Sequence, residues 1–461
     1  MQSPFDIAAD LDTPVSAYLK LAPFQPRYLL ESVEGGERLG RYSFIGFGDA
    51  LELRIENDKV LLDGVESPAP TDRDDLLALF RDALKRAPKP GPAIAGVPFR
   101  GGLVGATGYD TVRRIERLPA AKASEGPQVA YVATRSLLVF DHLTRRVALL
   151  HDGPEAERVA LRSEVRRALR GPLPPRQGKL MHGPPVPSLD VAAFMDGVQK
   201  VKHEITLGEV YQLVLSVQFK GACELSPFEV YRALRLLNPS PYMYFCEFGD
   251  LAVVGSSPEA LVRLEGRQAS LRPIAGTRPR DAAGDVEREK ELERELLADP
   301  KEAAEHVMLV DLARNDLGRV AVTGSVRVEP YRIVERYSHV MHMVSGVQGV
   351  LLPEADAFDL FAASFPAGTV VGAPKIRAME LIDRLEPTGR GIYAGTVGYF
   401  GHGGGMDQAI AIRTLVFRDG GYAYQAGAGI VADSVPEREH EEVLAKSAAL
   451  GAALALAEEG L

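Results

Sequence analysis

The chain has little cysteine, no cationic block and no long apolar run, and each shortage closes a class of function. Two cysteines, Cys223 and Cys246, among 461 residues build no disulfide framework, so a reducing compartment is expected. Lys and Arg number 53 against 63 Asp and Glu, a formal net charge of −10, and the basic residues form no cluster. Binding to a nucleic-acid backbone, which needs clustered positive charge, is not expected. The start, Met1-Gln2-Ser3-Pro4-Phe5-Asp6, lacks the basic and apolar regions of a secretory signal. The most apolar stretch, near Ala448–Ala457, is short and alanine-rich and ends in acids, so no membrane span is expected. The expected location is the cytoplasm.

At 46% hydrophobic and 25% charged, the composition is that of an ordinary globular chain with room for two or three domains. A proline- and glycine-rich stretch over residues 171–188 reads as a linker. It divides an N-terminal region, 1–170, from a C-terminal region, 189–461. After it, Val191, Phe194, Val198, Val201 and Ile205 recur at helical spacing. The period then changes to two, with Tyr211, Leu213, Leu215, Val217 and Phe219 on one strand face and Gln212, Val214, Ser216, Gln218 and Lys220 on the other. A polar face in an apolar protein either lines a cavity or meets solvent, and the pattern leaves both open. Helices are expected near 224–236, 288–298, 300–317, 356–363, 374–385 and 436–458, mixed with strands such as 392–400, 409–417 and 422–430. No regular strand–helix–strand repeat emerges. The expected class is α+β, with largely antiparallel sheets packed as a sandwich and helices around and between them.

Chemistry concentrates after residue 250. Asp299-Pro300-Lys301-Glu302 reads as an N-cap, a first-turn proline and a capping-box acid, which gives Glu302 a structural role. Glu305 has no such explanation. It falls on the stripe of Met308, Leu309 and Leu312, where a carboxylate must be paired, protonated or bound to a cation. Ser434-Val435-Pro436-Glu437 reads as a second capping box, with Glu442 and Lys446 spaced for an i,i+4 surface pair. Should Glu305 and Glu442 converge, they suit Mg²⁺, a hard cation that takes one or two carboxylates and keeps several waters. His342 reads first as a satisfied core histidine, the more common case, and Arg413, inside a strand-like apolar run, needs an anion. Ala275-Gly276-Thr277, Pro366–Lys375 and Gly427-Ala428-Gly429 read as loops whose amides face anions. None completes a P-loop or a dinucleotide fingerprint.

Four of these stretches, Arg272–Arg278, Lys301–His306, Met308–Asp316 and Phe365–Lys375, together resemble the signatures of the chorismate-utilising enzymes. The likeness covers residues 190–455. The first 170 residues resemble the regulatory region of anthranilate synthase large subunits, with Leu29-Leu30-Glu31-Ser32 the most recognisable piece. The resemblance implies that Glu305 and Glu442 hold Mg²⁺ against the ring carboxylate of chorismate. It implies that Tyr393 and Arg413, with Gly427, Ala428 and Gly429, hold the enolpyruvyl carboxylate, and that Gly276 and Thr277 line the ring site. Glu259 matches the general acid for the departing C4 hydroxyl, and His342 the histidine associated with pyruvate loss. Thr369 and Lys446 are supporting contacts. Water-adding relatives carry a lysine base where Gln212 stands. Aminodeoxychorismate synthases typically carry a nucleophilic lysine where Ala275 stands. Direct attack of ammonia at C2 is therefore implied, giving anthranilate and pyruvate, with aminodeoxychorismate synthesis or a non-catalytic tryptophan-binding regulator as the alternatives. Neither cysteine lies in a nucleophile context, so a separate glutaminase subunit in a heterodimer or heterotetramer is implied. Ser32 with Pro241, Tyr242 and Met243 matches a feedback tryptophan pocket. Read without the resemblance, Asn238-Pro239-Ser240-Pro241 is a turn leading into a strand.

Overall fold

A computed structural model describes residues 4–32, 40–119, 122, 125–175, 180–280, 285–336 and 340–461, apart from the side chains of 277, 279, 286 and 340. Among the described residues, 21 strands join one large curled sheet and three more form a small one. Every strand pairing is antiparallel, as the alternating patterns and short turns require. The expected α+β class is the class observed. No described helix is long and apolar enough to cross a membrane.

The large sheet runs through both halves of the chain. Tyr42–Glu56 pairs with Val129–Asp141, which pairs with Gly102–Thr107, and that strand pairs with Thr396–Gly401. Pro26–Glu31 lies beside Tyr242–Glu247. Side chains from both halves share the main apolar core, where Phe80 and Phe358 stack at 5.9 Å and Phe358 meets Phe400 at 4.6 Å. Helices Val191–Thr206, Pro227–Leu237 and Pro436–Glu459 pack together, the last of them also against strand Gly421–Ile430. Helix Pro300–Gly318 contacts Ile274–Pro279 of the small sheet, whose central strand is Val340–Val344.

Several local expectations change. Gln212 and Ser216 are 6% and 1% exposed, so the polar face of strand Gln212–Ala222 points into the protein, whereas Tyr211 just ahead of it is 73% exposed. The run 409–417 is two strands, Met406–Ile410 and Thr414–Arg418, broken at a left-handed Arg413 with φ 49°. Gly427-Ala428-Gly429 is no loop. It sits inside strand Gly421–Ile430, paired with Ser216, Leu215 and Val214. Ala275-Gly276-Thr277 is likewise strand, with a register shift where Gly276 adopts φ 69°. Asp299 caps its helix through the Lys301 and Glu302 amides, but the Glu302 side chain turns to Arg278 at 3.1 Å. The second box fails altogether, because Val435 is the N-cap residue and offers no side-chain acceptor.

One buried ion pair joins the segments that carry the site. Arg390 donates to both oxygens of Glu386, at 2.9 and 2.7 Å, and both residues are almost wholly enclosed. Its remaining donors reach the Val370 carbonyl at 2.7 Å and the Val214 carbonyl at 2.9 Å. Glu386 accepts in addition from the Ser216 amide and hydroxyl, at 2.9 and 2.6 Å. The guanidinium lies over the rings of Tyr109 and Tyr393. Removing one partner of such a pair leaves a buried charge uncompensated. Arg390→Leu is expected to cost about 3–5 kcal/mol, read as a lowered urea midpoint. Arg390→Lys, which has no planar fork, restores only part of it.

Candidate active site

The strand, helix and loop segments described above bring most of the expected site residues into one connected group. Gln212 opens strand Gln212–Ala222 and donates from its amide to Glu305 Oε1 at 3.1 Å. Gly429 lies against that same amide, and a Cβ there would come within 2.6 Å of Gln212 Nε2. Two residues earlier, a Cβ on Gly427 would meet Tyr393 Oη at 2.9 Å. The Gly-Ala-Gly sequence thus lets a strand backbone approach Gln212 and Tyr393 closely, while Ala428 between the glycines is fully buried. Lys446 donates to the Gly427 carbonyl at 3.0 Å and pairs with Glu442 at 2.7 Å. That Glu442–Lys446 contact is the half-exposed i,i+4 pair read from the spacing.

Glu442 also acts on Glu305. Burial raises the Glu305 carboxyl, and Glu302 and Glu442 raise it further by repulsion. The Gln212 hydrogen bond and Lys301 oppose the rise. Glu439, one turn before Glu442, is raised chiefly by burial and also by Glu442. Arg278 compensates Glu302 and Lys446 pairs with Glu442, which leaves the more distant Lys301 as the main positive charge opposing Glu305 and Glu439. In the sequence Glu302 has only a capping role and Glu439 none, although the Glu-x-x-Glu spacing on both helices was a visible signal. Among the described residues no three His, Cys, Asp or Glu side chains close up into a metal cage. Glu305 and Glu442, near enough for one to raise the other, offer hard oxygen donors that fit a cation keeping much of its water shell.

Glu259 follows strand Leu251–Ser257. Burial lifts its carboxyl to about 7, while the Thr369 hydroxyl and the Lys446 ammonium oppose the rise. Thr369 is near enough to moderate Glu259 but makes no hydrogen bond of good geometry, and its Oγ1 is buried without a protein partner. A carboxyl that titrates near neutrality can give up a proton at working pH.

On the small sheet, His342 Nδ1 donates to the Gly276 carbonyl at 3.2 Å, which makes Nε2 the basic ring nitrogen. Gly276 touches Glu302: a Cβ there would lie 2.9 Å from Glu302 Oε2. The Thr277 backbone pairs with His342, but its side chain lies outside the described residues. Arg413 joins the group through its backbone. Its carbonyl accepts from the Ser256 amide at 3.1 Å, three residues before Glu259, and Ala411 exchanges bonds with Ala394 and Gly395 beside Tyr393. Tyr393 is 9% exposed, and burial pushes its hydroxyl up to about 12.

Ser32, Pro241, Tyr242 and Met243 form a separate place. Glu31 pairs with Met243 across neighbouring strands, so Ser32 falls beside Tyr242 despite some two hundred intervening residues. Ser32 Oγ is buried without a partner among the described residues, and Tyr242 donates to Asp407 at 3.0 Å. Tyr242 in turn pairs with Ser257, two residues from Glu259.

Comparison with known proteins shows the family. The family model described as chorismate binding enzyme matches residues 25–451. Anthranilate synthase component 1 of Pseudomonas putida is 46% identical, over 98% of this chain and 94% of that protein. Its counterpart from Thermus thermophilus is 45% identical, over 98% and 97%. The crystal structure of anthranilate synthase component I from Streptococcus pneumoniae superposes with a TM-score of 0.80 at 36% identity, covering 89% of this chain and 92% of that one. The chain belongs to the family of chorismate binding enzymes.

Proposed function

We propose that this chain is the large subunit of an anthranilate synthase, converting chorismate and ammonia to anthranilate and pyruvate in the cytoplasm. The observation that carries the reading is its likeness to anthranilate synthase component 1 along nearly its whole length. Glu305 and Glu442 would hold Mg²⁺, which supplies charge neutralisation for the ring carboxylate of chorismate. Arg413 and the Tyr393 hydroxyl bind the enolpyruvyl carboxylate, with Gly427, Ala428 and Gly429 giving it room. Gly276 and Thr277 border the ring. Glu259 protonates the C4 hydroxyl as it leaves and ammonia attacks C2. Thr369 and Lys446 steady the Glu259 carboxyl. Gln212 has no basic nitrogen to activate water and Ala275 no nucleophile, so the ring takes ammonia directly. His342, through Nε2, serves the loss of pyruvate that makes the ring aromatic.

Ammonia comes from a glutaminase partner. Burial raises both the Cys223 and the Cys246 thiols, which makes them poor nucleophiles for hydrolysing glutamine here. The two subunits form a heterodimer or heterotetramer. Residues 1–170 act as a regulatory region with the catalytic region beyond the 171–188 linker, and Ser32, Pro241, Tyr242 and Met243 bind tryptophan. The orphaned Ser32 hydroxyl suits a polar ligand, and the Tyr242–Ser257 pairing offers a short route to Glu259.

The purified chain with chorismate, Mg²⁺ and an ammonium salt should develop anthranilate fluorescence that EDTA abolishes. Glu305→Gln or Glu442→Gln should raise the Mg²⁺ needed for half-maximal rate by about tenfold or more. A stable aminated or hydroxylated chorismate, with no anthranilate, would identify a sister activity instead. Because Glu259 acts protonated and titrates at about 7, kcat/KM should fall as pH rises through that value. Glu259→Gln should remove this limb and lower the rate by about 10²–10⁴-fold. Saturating tryptophan should slow the reaction, and Ser32→Ala should raise the inhibitory concentration by roughly fivefold or more; a rate indifferent to tryptophan refutes the pocket.

A further inference from the structure

A narrow cavity of about 40 Å³ leads from Glu259 along helix Pro300–Gly318. Leu309, Leu312 and Ala313 give it a wall of methyl groups, and Gly368 closes it so tightly that any side chain there would strike Leu312. Among the described residues, its lining includes neither Gln212 nor Glu305, Tyr393 or His342, so it extends away from the carboxylate pair. Polar groups are few and spaced along it. Glu259 and Thr369 line it, as do Arg272 and Asp316, the last held by Lys375 at 2.9 Å. The Arg272 side chain is 40% exposed, so the lining of the cavity reaches the surface there.

Thr369 Oγ1 lines this space, buried, near enough to Glu259 to lower its carboxyl but without a well-formed hydrogen bond among the described residues. A buried hydroxyl left in that state is unfavourable by about 1–3 kcal/mol unless water supplies the missing bond. One water needs about 10–15 Å³ of such space, so there is room for roughly three or four. The proposed reaction makes a water beside Glu259. The C4–O bond breaks, its electron pair leaves with the oxygen, and that oxygen takes the Glu259 proton. Ammonia loses one proton in becoming the ring amine, and that proton restores Glu259. One water then has to leave for each turnover.

We propose that this cavity is the water site of the reaction, receiving the departing water on Thr369 and releasing it to solvent past Asp316 and Arg272. The origin of the water rests on the reading of the chain as an anthranilate synthase; the site itself does not. A crystal structure of the whole chain that resolves ordered solvent should therefore show a water within hydrogen-bond distance of both Thr369 Oγ1 and the Glu259 carboxyl. Clean density there without a water overturns the site, whatever product the enzyme makes. Ala313→Val, which pushes two methyl groups into the cavity, should lower kcat for anthranilate about tenfold and leave the chorismate KM within about twofold. The solvent deuterium isotope effect on kcat should fall with it, because a release step that transfers no proton then limits turnover. Thr369→Val, which keeps the volume, should lose the ordered water and show the same isotope signature, and it carries the test if Ala313→Val does not fold. Unchanged kcat and isotope effect in a folded variant whose cavity is filled overturn the exit route. Absence of anthranilate from the unmodified chain overturns the reaction but leaves the crystallographic result to decide the site.

Discussion

The Glu386–Arg390 pair is the constraint on which the rest of the site depends. Its donors and acceptors end on Val370 in the segment that carries Thr369, on Val214 and Ser216 in the strand that begins at Gln212, and under the ring of Tyr393. These segments are far apart in the chain and each brings backbone groups that must be satisfied on burial. A neutral side chain has too few donors to reach two carbonyls and a carboxylate at once; the guanidinium has five in a fixed fork. A buried ion pair is weak evidence for stability in itself, because desolvating both charges offsets much of the attraction. Its value here is geometric, since it fixes where the strand, the loop and the tyrosine stand relative to one another.

Around that frame the chain places charges that do not balance. Glu302 is held by Arg278 and Glu442 by Lys446, whereas Glu305 and Glu439 carry no ion pair among the described residues and are raised by burial and by their neighbours. Glu259 is raised as well, but for a different reason. Its rise comes from burial, with only a hydroxyl and an ammonium group to oppose it. The first arrangement asks for a cation and the second for a proton. Carboxylates of one kind thus divide into two roles through their surroundings, as expected when desolvation and like charge act separately.

Backbone strain appears beside the same groups. Arg413 and Ala394 both adopt positive φ, at 49° and 60°, and their flanking residues bond to each other at the turn between strands. For residues with a Cβ this conformation is unfavourable and persists only where the surroundings hold it. Here it ends one strand at Ile410 and starts the next at Thr414, turning an apolar run into a corner that presents an arginine.

How much of this was legible depends on the range of the interaction concerned. The α+β class, the antiparallel sheets and helix Pro300–Gly318 with its Asp299 cap follow from local periodicity and turn chemistry, so the sequence alone determined them. The motifs around Glu259, Glu305 and Gly276 were legible too, through resemblance. Local pattern failed where a distant partner decided the outcome. Glu302 reads as a capping acid but turns to Arg278, and Gly427-Ala428-Gly429 reads as a loop but pairs with residues 214–216. Whether the Gln212 face met solvent or a cavity was undecidable from alternation, because both give the same period. Glu386 and Arg390 gave no sign of their role, since an i,i+4 pair looks alike on a surface and in a core. Only the tertiary structure settled these, because burial and the charge of neighbours brought in from elsewhere in the chain are not properties of any one segment.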